Sequence, residues 1–144
     1  MHTRRIVFIG AVLAAGLAAC SGMEDHTARL SANLTGAAEV PPVRSTGAGN
    51  ATVTLDKATK TLSWNVAYRG LTGPARAAHF HGPAAAGANA GVLVDMKAGE
   101  SPMQGSATLT DAQIADLLAG LWYINIHTAA NPGGEIRGQV VAGN

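Results

Sequence analysis

The chain has 144 residues, 47% of them hydrophobic, 4% aromatic and 13% charged, with a formal net charge of +1 and one cysteine. That length suits one domain able to bury a real core. The small net charge provides no basic patch to draw phosphates, which excludes nucleic acid as an expected partner, and a lone cysteine excludes an internal disulfide.

Arg4 and Arg5 begin the chain with positive charge, residues 6–19 form an uncharged apolar run, and small residues lead up to Cys20 in Leu17-Ala18-Ala19-Cys20. A positive start, an apolar stretch of about 7–15 residues and a small-residue cleavage site describe a secretory signal. The stretch is too short for a membrane span, which takes about 20 apolar residues. A cysteine directly after Leu-Ala-Ala resembles the bacterial lipobox. That resemblance implies cleavage before Cys20 and acyl chains on its thiol and new amino group; several chains anchor stably where one binds only marginally. The plainer alternative is an ordinary secretory signal with a chance cysteine. Ser21 follows the cysteine, and its resemblance to the sorting pattern of Gram-negative lipoproteins implies, for a Gram-negative cell, the outer membrane, on its periplasmic face. The expected organisation is a signal peptide over residues 1–19, a lipidated Cys20 with a flexible tether through residue 29, and a β domain over residues 30–142. Loss of Arg4 and Arg5 leaves eight Lys/Arg against nine Asp/Glu, a formal charge of −1.

Pro41-Pro42 stiffens a loop in an extended form. Residues 51–55 alternate small or polar with apolar side chains, residues 56–60 read as a turn, and residues 61–68 place Leu62, Trp64, Val66 and Tyr68 on one face. Two alternating runs around a short polar turn predict a β-hairpin. Gly70, Gly73 and Pro74 then break the chain. Residues 77–81 predict a strand, residues 82–89 a Gly/Pro/Ala loop, and residues 92–94 and 105–109 two further strands. Thr110 as a cap, Gln113 at the capping-box position and Gly120 as a stop predict a helix over residues 111–119. Ile114, Leu117, Leu118 and Leu121 are its expected buried stripe. Residues 122–127 and 135–141 predict strands on either side of a tight turn at residues 131–134. About seven or eight short strands with one short helix imply an all-β sandwich or barrel.

His79, His81 and His127 are the residues with chemistry to offer. Strand side chains alternate faces, so His79 and His81 point the same way with Cα atoms about 6.6 Å apart, close enough for both rings to reach one ion. His127 ends another strand. If the two strands are neighbours, three imidazoles converge, and neutral imidazole suits copper and zinc. A shared ion requires ring nitrogens within about 4 Å of one another. Rings that diverge, or that are saturated by backbone partners, indicate histidines that only organise the fold. Phe80 faces the other side and belongs to the core. Glu135 and Arg137 share a face, as a structural ion pair or as groups that orient a metal-bound histidine. Asn125, in the His127 strand, is a further candidate for that supporting role. No nucleophile–base pair and no phosphate loop can be read.

Four segments resemble the CHRD domain, named for its occurrence in chordin. They are Leu34-Thr35-Gly36-Ala37-Ala38-Glu39-Val40-Pro41-Pro42-Val43; Thr61-Leu62-Ser63-Trp64 with Gly70-Leu71-Thr72; Ala78-His79-Phe80-His81-Gly82-Pro83; and Tyr123-Ile124-Asn125-Ile126-His127-Thr128 with residues 131–139. The resemblance covers about residues 30–141 and implies a domain whose function is poorly defined. A weaker similarity, to copper–zinc superoxide dismutase, lies in the His-X-His strand, a late strand ending in His and a Gly-rich last strand. It implies a Greek-key sandwich with copper on His79, His81 and His127. The chain departs from that family in lacking its disulfide, its zinc loop and its charged steering loop.

The expected fold is therefore an all-β, antiparallel, Greek-key-like β-sandwich of about seven or eight strands. The leading functional expectation is an exported, lipid-anchored, non-catalytic binding module with a three-histidine copper site, zinc being the second choice. Two alternatives remain open: a structural or adhesive module without metal, binding an envelope polymer or a protein partner, and a copper-dependent redox enzyme. The sequence sets no oligomeric state.

Overall fold

The structure is a computed structural model and describes residues 26–143. The signal segment, Cys20 and residues 21–25 of the tether lie outside the described residues. The strands are β1 (Thr27–Thr35), β2 (Ala48–Asp56), β3 (Thr61–Arg69), β4 (Ala77–His81), β5 (Val92–Asp95), β6 (Met103–Thr108), β7 (Tyr123–His127), β8 (Ile136–Gln139) and β9 (Val141–Ala142). Among the described residues one α-helix, α1 (Asp111–Leu118), lies between β6 and β7, and a short 3-10 turn spans Gly36–Ala38.

The strand order is β5-β4-β7-β8-β1-β2-β3-β6, with β9 also on β1, and these pairings are antiparallel. A single pair, Thr35↔Arg137, joins β1 to β8. The sheet therefore folds at that seam into two layers, β5-β4-β7-β8 and β1-β2-β3-β6, with β9 added to the second. Non-consecutive strands are neighbours at β4–β7, β1–β8 and β3–β6, the crossover pattern of a Greek-key sandwich. The expected hairpin is β2–β3, paired from Ala48↔Arg69 to Asp56↔Thr61.

Alternation builds the core. Leu30, Leu34, Val53, Leu55, Leu62 and Val66 come from one layer, and Phe80, Ile124, Ile126 and Ile136 from the other. Trp64 and Phe80 meet edge to face across the interior, with ring centroids 5.3 Å apart, a favoured aromatic geometry.

The structure departs from the sequence reading at three places. β1 begins at Thr27, so residues 27–29 of the expected tether are strand; Thr27 already pairs with Asp56. The last expected strand divides at the buried Val140. Gln139 ends β8 in one layer, and Val141 begins β9 against Ser31 in the other, which helps bring the total among the described residues to nine. In α1 the capping box forms as expected: the Gln113 amide donates to Thr110 Oγ1 at 3.3 Å, and the Thr110 amide donates to Gln113 Oε1 at 2.9 Å. Leu117 is fully buried, but Leu118 is 46% exposed. Successive helix residues turn by about 100°, so a short helix with one face on the sandwich leaves Leu118 outside.

Gly138 holds the seam between the layers. A Cβ there would sit 2.3 Å from the Asn33 carbonyl oxygen of β1, against backbone that cannot swing aside. Gly138→Ala should destabilise the fold by about 1–3 kcal/mol, the usual range for overpacking, measured by urea denaturation. Wild-type stability in that variant would show that the layers do not approach as closely as this.

Candidate metal centre

The registers of β4, β7 and β8 sort their side chains onto two faces. His79 is opposite Asn125, Ala77 opposite His127, and Asn125 opposite Arg137. The inner face carries Ala78, Phe80, Ile124, Ile126 and Ile136, all fully buried. The outer face carries His79, His81, Tyr123, Asn125, His127, Arg137 and Gln139. The loop over residues 82–91 covers much of that polar face. Its backbone carbonyls do the holding: Ala84 O accepts from Gln139 Nε2 at 2.9 Å, Ala88 O from Arg137 Nη2 at 2.6 Å, and Ala90 O meets His81 Nδ1 at 3.0 Å.

The three histidines come together, and one ring nitrogen from each lies within 4.8 Å of the others. The pair His79 and His127 is closest, with His79 Nδ1 at 3.1 Å from His127 Nε2. His127 Nδ1 donates to the Pro132 carbonyl at 2.9 Å. In the neutral ring this leaves a lone pair on Nε2, aimed at His79 Nδ1–H. An ion in place of that proton would find two nitrogens near the roughly 3.3 Å spacing of a tetrahedral imidazole site. His81 is engaged differently. Its Nδ1 meets Ala90 O, and its Nε2 faces Asn125 Oδ1 at 3.0 Å. The trio is therefore wider than the 4 Å expected of a closed site, and both nitrogens of its third ring are occupied by oxygen neighbours, of which a neutral imidazole donates to one. Bringing His81 to a shared ion requires a closure of about 1.5 Å, judged against that tetrahedral spacing, and release of Asn125.

Burial pushes the His79 ring below the ordinary histidine range, helped by His127 and His81 and opposed by Asp95. Burial also lowers His127, against the hydrogen bond to Pro132 that favours its charged form, with His81 adding to the lowering. Both rings are thus held toward the neutral, ligand-competent state. Asp95, the β5 residue paired opposite His79, is tied to Lys97 at 2.6 Å.

The supporting residues divide. Asn125 touches His81 directly. Arg137 touches no histidine: its guanidinium lies 3.4 Å from the Tyr123 ring centroid, and Tyr123 stacks on His81 at 4.8 Å with planes 3° apart. Glu135 pairs with neither. Its Oε1 accepts from Ser45 Oγ at 2.6 Å and the Thr72 amide at 2.9 Å, and its Oε2 from Thr72 Oγ1 and Thr128 Oγ1 at 2.6 Å each. It ties the β1–β2 and β3–β4 connections to the segment after β7.

The family model described as CHRD domain matches residues 30–140. The chain belongs to the CHRD domain family. No curated protein and no solved structure matches it. In this CHRD domain the sequence reading missed Tyr123, Ala90 and Pro132 as partners of the histidines. Two of these act through backbone carbonyls, which no residue type reveals, and Tyr123 reads simply as a strand aromatic.

Burial alone would raise the Glu135 carboxyl, but its hydrogen bonds from Ser45, Thr128 and Thr72 outweigh this and hold it at about 2. A carboxyl lowered in the folded state contributes stability that is full above its unfolded value of 4.5 and is lost as pH falls toward 2. Glu135→Gln should cost about 2 kcal/mol at neutral pH, because an amide NH₂ replaces an acceptor. It should also flatten the acid limb of a denaturation series. An acid limb as steep as wild type would remove Glu135 from this role.

Proposed function

We propose that this CHRD domain is a non-catalytic metal-binding module of the cell envelope, held to the membrane through lipid on Cys20. It binds copper, with zinc as the second choice, at His79, His81 and His127. The observation that carries the reading is the His79 Nδ1 to His127 Nε2 approach of 3.1 Å, with His81 in reach. Three imidazole donors without thiolate or carboxylate favour copper among the common ions. His79 and His127 are the first ligands, and His81 joins as Asn125 lets go of its Nε2. When bound, the ion would be held for storage or delivery by imidazole nitrogens alone.

A second reading has its own support. His81 has a partner on each ring nitrogen, and His127 Nδ1 is fixed by Pro132. Such bonds suit a structural or adhesive module, in which the histidines only pin the covering loop and the turn after β7.

Metal content separates the two. The purified full-length protein, loaded with copper and desalted, should retain one ion per chain. His79→Ala and His127→Ala should each lose it, while His81→Ala weakens retention. Unchanged retention in the triple His→Ala variant, with the fold intact by circular dichroism, would leave the structural reading. The anchor has a separate check. Mass spectrometry of the mature protein should find an acylated N-terminus at Cys20, and Cys20→Ala should release the protein from membranes. A mature chain without acyl mass would contradict the anchor.

A further inference from the structure

A pocket lies against the turn that follows β7. Glu39, just past the turn at Gly36–Ala38, is only 5% exposed. Its Oε1 is buried and has no hydrogen-bond partner among the described residues. Trp64 Nε1 and Trp122 Nε1 share that condition, but both indoles belong to the apolar core. Glu39 instead lines a pocket of about 260 Å³. One wall is Glu39, Val40, Pro41 and Val43, and the other is the turn over residues 130–134.

An unpaired buried carboxyl oxygen costs several kcal/mol unless a donor reaches it. Near neighbours do not supply one. A Cβ built on Gly134 would come within 2.5 Å of Glu39 Oε1 and 2.8 Å of Asn125 Nδ2. Carbon-bound hydrogens of Gly134 therefore face that oxygen. Arg137 acts on Glu39 only as a charge at a distance, its guanidinium being spent on Asn89 and Ala88 O. Burial accordingly raises the Glu39 carboxyl to about 7, and Arg137 only partly opposes this. Asn89 also pins the wall, donating to Val40 O at 3.0 Å. The pocket is thus shaped by fixed backbone, walled by Val, Pro, Ala and Gly with Asn131 as its one neutral polar side chain, and has one formal charge on its lining. Its volume falls below the roughly 300 Å³ at which drug-sized pockets begin.

We propose that this pocket binds a small primary alkylammonium ion, with the ammonium donating to Glu39 and a short apolar chain lying between Pro41, Val43 and Pro132. A charge-assisted bond to a desolvated carboxylate is among the stronger polar contacts. The apolar walls add a contact that inorganic cations cannot use. None of the three histidines lines the pocket, although Pro132 forms part of both sites.

The test uses the full-length ¹⁵N-labelled protein in detergent at about pH 8, where the carboxyl and the amine are both charged. n-Butylamine, 1-butanol and butyrate are titrated at matched ionic strength and pH. n-Butylamine should give saturable shifts at the Val43, Gly133 and Gly134 amides, with butanol and butyrate at least about tenfold weaker, as loss of one charge-assisted bond implies. Glu39→Gln should weaken n-butylamine by a similar factor while leaving the spectrum folded. Equal binding of butanol, shifts that do not saturate, or shifts confined to exposed acidic residues would each overturn the proposal. So would an undiminished affinity in Glu39→Gln. If that variant does not fold, the comparison of amine with alcohol on the wild-type protein decides alone.

Discussion

The pairing of β4 with β7 is the constraint on which the rest depends. Its register puts Asn125 opposite His79 and so sets His127 on the diagonal, within reach of long or aromatic side chains. The same register turns Phe80, Ile124 and Ile126 inward, each fully buried. Because side chains alternate with a period of two, a slip of one residue would drive the histidines into the core and Phe80 out of it. The free energy that fixes the three imidazoles is therefore core burial on the opposite face. The histidines need contribute nothing to folding to be held together.

The polar face is roofed by a loop poor in polar side chains. Three of its carbonyls, at Ala84, Ala88 and Ala90, meet Gln139, Arg137 and His81 in turn. This is how a cation such as Arg137 is accommodated at 2% exposure. Its donors find Asn89 and Ala88, and its flat face finds Tyr123. Tyr123 passes that order to His81 by stacking. The consequence for chemistry is a graded site. On the proposed reading His79 and His127 would take an ion in place of the proton between them, whereas His81 is held from three sides and would join only as Asn125 moves.

Much of this was legible in the sequence where the signal is local. The alternation of Leu62, Trp64, Val66 and Tyr68 marked β3, and Thr110 with Gln113 marked the start of α1, because both are set within a few residues. His79 and His81 were readable as a same-face pair for that reason. The convergence with His127 rested on an assumption, since strands 48 positions apart pair through tertiary packing. Leu118 misled because periodicity gives a stripe but not its width on a short helix. Residues 27–29 misled because polar Thr27 and Arg29 hide the inward Ala28. Glu39 was seen only as a letter in a motif. Its isolation comes from three segments meeting around it, which no spacing encodes.

Copper K-edge X-ray absorption on the copper-loaded full-length protein tests the central claim most directly. The three-histidine account predicts two or three nitrogen ligands at about 2.0 Å with imidazole back-scattering, reduced in His79→Ala and His127→Ala. A shell of oxygen ligands without imidazole features would contradict it.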